Sequence, residues 1–249
     1  MAGHNKWSKI KHRKAVVDKR RSKVWTKVAR AMTVAARESG PDPSFNVALR
    51  CAIDEARYAN MPRDVIERAI QKGAGGGDQS NYDAIRYEGY APGGVAIIVD
   101  ALTDNRARTA TDVRNAFGDH AGNLGTSGCV AYLFQPRGTI IAQAPGLADE
   151  AVFEAAIAGG ALDAQAPADD DTAWTFTSRV EDFNTLKSAL EAAGLTIDDA
   201  SLGMIAETYQ RVEGEAARQV LALIEALEDL DDVQKVHSNA DIVDLADES

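Results

Sequence analysis

The chain has 249 residues, 45 % hydrophobic and 26 % charged, with 27 Lys and Arg against 38 Asp and Glu, a formal net charge of −11. This is the composition of an ordinary globular protein with room for two or three cores. No run approaches the roughly 18 apolar residues that span a bilayer, and the N-terminus lacks the apolar block of a secretory signal.

The negative total hides a sign reversal. Residues 1–37 hold twelve cations against one acid, Asp18, a segment charge of +11, so residues 38–249 carry −22. A cationic arm on an acidic body points to a polyanion, and a nucleic acid is the expected partner. A surface that served only solubility would mix the two signs. The expected contacts are Lys6, Trp7, Lys9, Lys11, His12, Arg13, Lys14, Lys19, Arg20, Arg21, Lys23, Lys27 and Arg30. From Ser22 the pattern is helical. Val24, Val28, Ala31, Met32 and Ala35 form an apolar side, while Lys23, Lys27, Arg30 and Arg37 fall on the other and are expected to present their charges.

Gly40-Pro41-Asp42-Pro43 ends this helix, and a second follows with Phe45, Leu49, Ala52, Ile53 and Ala56 as its expected buried stripe. Pro62 opens a third helix, carried by Val65, Ile66, Ala69 and Ile70 to Gly73, after which Gly73-Ala74-Gly75-Gly76-Gly77 reads as a linker. From Tyr82 the pattern turns to strands. A hairpin around Ala91-Pro92-Gly93-Gly94 has a second strand, Val95-Ala96-Ile97-Ile98-Val99, that is apolar on both faces. Thr103-Asp104 is read as the cap of a helix through Val113 and Phe117. A glycine-rich loop over 122–128 then leads to an expected strand at 129–134. Residues 138–197 read as β-α-β-β-α-β. A strand over 204–212, a helix over 215–227 and a strand over 233–237 complete the chain. The expected architecture is α+β in three parts: a basic arm and three-helix domain at 1–77, a discontinuous α+β domain at 78–135 plus 203–249, and an inserted ferredoxin-like domain at 136–202.

Reactive groups do not converge in the sequence. The histidines (His4, His12, His120, His237) are scattered, and no pair has metal-site spacing. Asp169-Asp170-Asp171 reads as a solvated turn, and Ser127-Gly128-Cys129 has no histidine in frame to activate it. Cys51 and Cys129 read as free thiols. Two loops are more unusual: Asn105 and Arg106 after one strand, and Asn123, Thr126 and Ser127 in the glycine-rich stretch. Each is either an ordinary turn or a site where exposed N–H groups hold a phosphate.

The blocks GHNKWSKIKHRKA, FNVALRCAID, NMPRDVIERAIQKG, YEGYAPGGVAIIVDALTDNRARTATDVRNAF, GNLGTSGCVAYLF and LEDLDDVQKVHSNA together resemble the YebC family, whose mitochondrial relatives are translational activators of cytochrome oxidase subunit I. The likeness is dense at both termini and in the first half, and thin between about residues 137 and 202. The family's usual GHSKW stands here as GHNKW, and Val16-Val17 is more apolar than the usual segment. The resemblance implies a three-domain α+β protein and a cytoplasmic, non-enzymatic regulator of gene expression; the alternative location, the mitochondrial matrix, comes from reading the basic, acid-poor N-terminus as a transit peptide. The resemblance implies no cofactor, no small-molecule substrate and no membrane. Family members are described either as DNA-binding transcriptional regulators or as ribosome-associated factors that help translation through consecutive prolines. Lys and Arg contacts to phosphate give affinity without sequence information, and reading duplex DNA needs a rigid element placed in a groove. A cationic arm with Trp7 and His12 to stack on unpaired bases fits structured RNA better, so ribosomal RNA is the first expectation and DNA the alternative. A third alternative is a protein–protein adaptor working through the acidic body.

Overall fold

A computed structural model describes residues 18–75, 82–167 and 172–243, with side chains from Lys23 onward. Three helices, α1 (Asp18–Ser39), α2 (Val47–Tyr58) and α3 (Arg63–Gly73), form a bundle. Met32, Ala35, Leu49, Ile53, Ala56 and Ile66 are its buried core. The alanines let the backbones approach closely, and the last residue of α3 carries this furthest. A Cβ on Gly73 would lie 2.3 Å from the Thr33 carbonyl oxygen.

The second helix departs from the expected stripe. Asn46 is its N-cap, accepting from the Leu49 N–H at 2.9 Å and donating through Nδ2 to the Ala35 and Gly40 carbonyls. Phe45 therefore lies in the preceding turn, before the helical period begins, and is 87 % exposed.

The first sheet has the order β3-β1-β2-β9, from β1 (Asp83–Ala91), β2 (Val95–Thr103), β3 (Asn123–Leu124) and β9 (Val233–Ser238). Helices α4 (Arg106–Asp119) and α7 (Gly214–Asp229) supply Val113, Phe117, Leu223, Ile224 and Leu227 to a core with Ile97 and Val99 on one face. On the other face Ala96 and Ile98 pack against Val130, Phe134 and Ala206. Strand β2 is thus covered on both sides, as its unbroken apolar run requires.

The second sheet has the order β5-β6-β4-β7, built from β4 (Phe134–Gln143), β5 (Ala161–Gln165), β6 (Ala173–Ser178) and β7 (Thr196–Ala206). Helices α5 (Asp149–Ala158) and α6 (Phe183–Ala192) cover one face, burying Ile140, Trp174, Phe176, Leu186 and Leu190. With the two helices this is the ferredoxin-like β-α-β-β-α-β order. Strand β9 pairs antiparallel with β2, so the first sheet is completed only after the chain has left the second. A short ribbon of β8 (Gln210–Val212) and β10 (Ala240–Ile242), paired in parallel, flanks this return. The architecture as a whole is α+β, a helical bundle followed by two sheets with their helices.

Two expected strands take another form. Residues 131–133 are a 3-10 turn, and the strand begins only at Phe134. The stretch 204–212 is split, since β7 runs unbroken from Thr196 to Ala206 and β8 is separate. Strands β4 and β7 pair along their whole length, so the expected cuts at 135/136 and 202/203 fall inside paired strands. Between the bundle and the two sheets lies a cleft of about 1030 Å³, lined by α1 and α2 on one side and by β2, β9 and the uncovered face of the second sheet on the other. No helix among the described residues is long and apolar enough to cross a membrane.

Candidate nucleic-acid interface

Of the thirteen expected contacts, Lys6, Trp7, Lys9, Lys11, His12, Arg13 and Lys14 lie outside the described residues. The side chains of Lys19, Arg20 and Arg21 do as well, although their backbone opens α1. Lys23, Lys27 and Arg30 are described. Their spacing of four and three places them along one side of α1. That side faces the body of the protein, which corrects the expectation of a freely presented cation face. Lys23 Nζ donates to the Asp229 carbonyl at 3.2 Å and lies 3.4 Å from its carboxylate. Lys27 Nζ donates to the Glu228 carbonyl. Burial holds the Lys27 ammonium below its usual pKa, against the raising effect of Glu228. Arg30 Nη1 donates to the Leu102 carbonyl at 2.9 Å, the Asp231 carbonyl at 3.1 Å and Asp232 Oδ1 at 2.8 Å. Its guanidinium also sits 5.0 Å from the centre of the Tyr82 ring.

Asp232 is the meeting point of three segments. Besides Arg30, its carboxylate accepts from Arg108 Nη2 at 2.6 Å, Thr109 Oγ1 at 2.7 Å and Thr103 Oγ1 at 3.1 Å. Burial alone would raise its pKa, yet the donors from Arg108, Thr109, Thr103 and Arg30 outweigh it and leave the carboxyl below its usual range. Arg30 and Asp232 are only 15 % and 8 % exposed, so this pair is shielded from water and salt in a way the Lys23 pair is not.

The loop after β2 is absorbed by the same arrangement. Asn105, and not Thr103 or Asp104, is the N-cap of α4, accepting from the Arg108 N–H at 3.1 Å. Thr103 Oγ1 accepts from the Asn105 N–H at 2.8 Å. Arg106 Nε donates to Asp83 at 2.7 Å on the surface. Of the two readings open for this loop, the cap is what its geometry serves.

The glycine-rich loop is organised by a residue the sequence did not single out. Glu88 points from β1 into the protein, where its carboxylate accepts from the N–H groups of Gly128 at 2.8 Å and of Val130 and Ala131, each at 2.9 Å. Burial pushes the Glu88 pKa up, and these three amides more than reverse it. The N–H groups read as a potential phosphate cradle are therefore already occupied by a carboxylate. With its amides turned inward, the segment 129–131 cannot join a ladder, which is why the expected strand is absent. Asn123 pairs with Tyr90 in the two-residue strand β3, and Thr126 and Ser127 stand exposed. Tyr132, beyond them, is 69 % exposed.

The two loops do not form one site. Asn105 lies at the end of the first sheet where Asp83 faces Thr103, and Asn123 faces Tyr90 near the other end. Seven residues of strand separate these points, about 23 Å at the usual rise per residue. Both missed carboxylates left a trace in the sequence. Glu88 is the acid inside an otherwise uncharged strand end, Tyr87 to Ala91. Asp232 follows a helix with no basic residue in its last turn, an end at which carboxylates are unfavourable unless cations come from elsewhere. Among the described residues no group of His, Cys, Asp and Glu is placed to hold a metal ion.

Comparison with known proteins agrees with this layout. A profile described as the TACO1/YebC protein N-terminal domain matches residues 5–76, and one described as the TACO1/YebC second and third domain matches residues 82–240. A "Probable transcriptional regulatory protein" of Hahella chejuensis is 52 % identical over 98 % of this chain and 97 % of that protein. "Transcriptional regulatory protein PmpR" of Pseudomonas aeruginosa is 51 % identical over the same shares. The crystal structure of a conserved hypothetical protein, Aq1575 from Aquifex aeolicus, superposes with a TM-score of 0.84 at 43 % identity, covering 95 % of this chain and 96 % of that one. The chain belongs to the TACO1/YebC family.

Proposed function

We propose that this protein is a non-enzymatic, nucleic-acid-binding regulator of gene expression, acting on translation through contact with ribosomal RNA and easing elongation through difficult, proline-rich stretches. The observation that carries the reading is the division of charge. Residues 1–75 hold 17 Lys and Arg against 7 acids, a charge of +10, while residues 76–249 hold 10 against 31, a charge of −21. The basic part supplies phosphate contacts that carry no sequence information, and the acidic part resists wrapping by a long duplex. Unpaired RNA bases offer Trp7 and His12 a stacking partner that duplex DNA withholds. Among the described residues no group is placed to hold a metal ion, and we assign the sheets to shape recognition.

A second reading is a DNA-binding regulator of transcription. The names of the Hahella and Pseudomonas relatives, both transcriptional regulatory proteins, favour it. Crosslinking in cells followed by sequencing of the bound nucleic acid separates the two. Reads concentrated in ribosomal and transfer RNA support the translation role, and discrete promoter peaks that persist in purified binding at physiological salt overturn it in favour of transcription. In either case, replacing Lys9, Lys11, Arg13 and Lys14 together with Ala is expected to abolish binding and leave the denaturation midpoint unchanged. Retained binding by that variant would remove the arm from the reading.

A further inference from the structure

The cations of α1 already have an anionic partner inside the protein. The end of α7 and the turn after it, residues 228–232, present the carbonyl oxygens of Glu228, Asp229 and Asp231 and the carboxylates of Asp229 and Asp232 to Lys23, Lys27 and Arg30. These oxygens lie in a row along the side of α1 that carries its cations. We propose that residues 228–232 are an internal substitute for the nucleic-acid backbone: they hold the cation row of α1 until a polyanion displaces them, and the displacement releases the helical bundle from the first sheet. The inference rests on the reading of the arm and α1 as a nucleic-acid contact.

Three features make the contact releasable. The bundle has a core of its own, and it meets the first sheet through the cleft and polar ties such as Lys235 to Glu55 at 2.6 Å, while its apolar contact with the body, Cys51 and Tyr58 beside the Lys187–Asp54 pair at 2.7 Å, is with the second sheet's core. Interfaces of that polar kind allow relative motion. The outer tie, Lys23 to Asp229, is exposed on both sides, so a denser anion competes with it readily. The inner tie is asymmetric. When Arg30 leaves, Asp232 Oδ2 keeps Arg108, Thr109 and Thr103 as donors, and only Oδ1, which Arg30 held, has to take up water from the opening cleft. Arg30 in turn exchanges one carboxylate for a phosphate, which its planar fork fits at least as well. The arm precedes α1 directly in the chain, so a strand held by the arm is delivered to the first turns of α1, next to Lys23.

The test uses the full-length protein with donor and acceptor dyes on non-canonical amino acids at the exposed positions Arg63, on the bundle, and Glu215, on α7. The probe is a short single-stranded RNA of mixed sequence. Energy transfer is expected to fall as RNA saturates the protein. The double variant Asp229→Asn/Asp231→Asn is expected to lower transfer without RNA and to bind RNA about fivefold more tightly, the upper end of what losing the exposed Lys23–Asp229 pair gives, with the attraction of Asp231 on Lys27 removed as well. The control Glu181→Gln/Asp182→Asn makes the same change in net charge at the entry to α6 and is expected to shift affinity less and transfer not at all. Binding with unchanged transfer, or a double variant no different from the control, overturns the inference and leaves the proposed function standing. No RNA binding by the unaltered protein overturns the proposed function itself.

Discussion

The two sheets are close in size and strand number but solve the problem of their second face differently. In the second sheet, β6 alternates strictly, with Trp174, Phe176 and Ser178 buried under α5 and α6 and Thr175 and Thr177 half-exposed toward the cleft. In the first sheet, β2 is buried on both faces, and the second cover is not a helix but the loop segment around Val130 with Phe134. A loop cannot hydrogen-bond itself as a helix does, so its buried amides need acceptors from elsewhere. Glu88 supplies them for residues 128–131, and Asp232 does the corresponding work where β2, α4 and the bundle meet. The first sheet depends on buried carboxylates, and the core of the second on apolar packing under its two helices.

The sharpest way to break that contrast is Asp232→Ala. It takes the carboxylate from Arg30, which keeps only backbone carbonyls, and from Arg108, which keeps Asp104, and it leaves the hydroxyls of Thr103 and Thr109 without their shared acceptor. Removing one partner from a buried ionic network costs about 3–5 kcal/mol, and these remaining acceptors place the change at the lower end. Chemical denaturation should show the loss, with Asp232→Asn intermediate because one acceptor oxygen survives. A cost below about 1 kcal/mol, the size of an exposed pair, would mean that water replaces the carboxylate and that the site is not a hub.

Glu88→Gln comes next. Three amides lose a charged acceptor and one of its oxygens, about 2–3 kcal/mol when hydrogen bonds to a charged group are worth about 1.5–3 kcal/mol each and part of the binding persists through the amide oxygen. The local readout is proteolysis within residues 125–133, expected to quicken far more than cleavage elsewhere. Equal acceleration everywhere would assign Glu88 to global stability and not to the loop.

Acid titrates the same dependence without mutation. Asp100 is pushed upward by burial but held down by His237 and Arg86, to about 2. Glu88 and Asp232 also lie below their usual values. A carboxyl whose folded pKa is depressed stabilises the fold above its unfolded pKa, about 4, and that contribution is lost as pH falls through the folded value. All three groups belong to the first sheet or its edges. Hydrogen exchange followed as pH falls from about 4 toward 2 should therefore show β1, β2 and β9 losing protection before β4 and β6. The opposite order would place the acid-sensitive contacts in the second sheet.

The same contrast explains what was legible in the sequence. Period and length reveal helices and strands wherever a face is simply apolar, so the bundle, both α+β blocks and the late return of β9 were readable. The apolar run Val95–Val99 even announced a doubly covered strand. What it did not announce was the cover, because residues 125–133 are held by a carboxylate distant in sequence and carry no period of their own. The nearest periodic guess, a strand at 129–134, was therefore wrong. Phe45 misled in a related way: it sits at helical spacing from Leu49, but the Asn46 cap starts the helix after it. The cation row of α1 was visible as a row. Its partner was not, since charge alone does not distinguish a side meant for phosphate from one docked on residues 228–232.

The smallest effect is the most discriminating for the second sheet. Thr175→Val keeps volume and β-propensity and removes one hydroxyl from the face that lines the cleft. If water occupies that side, the hydroxyl gives up only a solvent hydrogen bond, and the change stays within about 0.5 kcal/mol in either direction. If the bundle were packed tightly on this face, the hydroxyl would have a protein partner and its loss would approach the cost of a buried hydrogen bond, about 1–3 kcal/mol. Denaturation midpoints of Thr175→Val and Thr139→Val, measured with and without the Asp229→Asn/Asp231→Asn pair, settle which holds. Near-neutral values in both backgrounds are expected, because Thr139 and Thr175 line the cleft, whereas the bundle meets the second sheet along its edge strand β7.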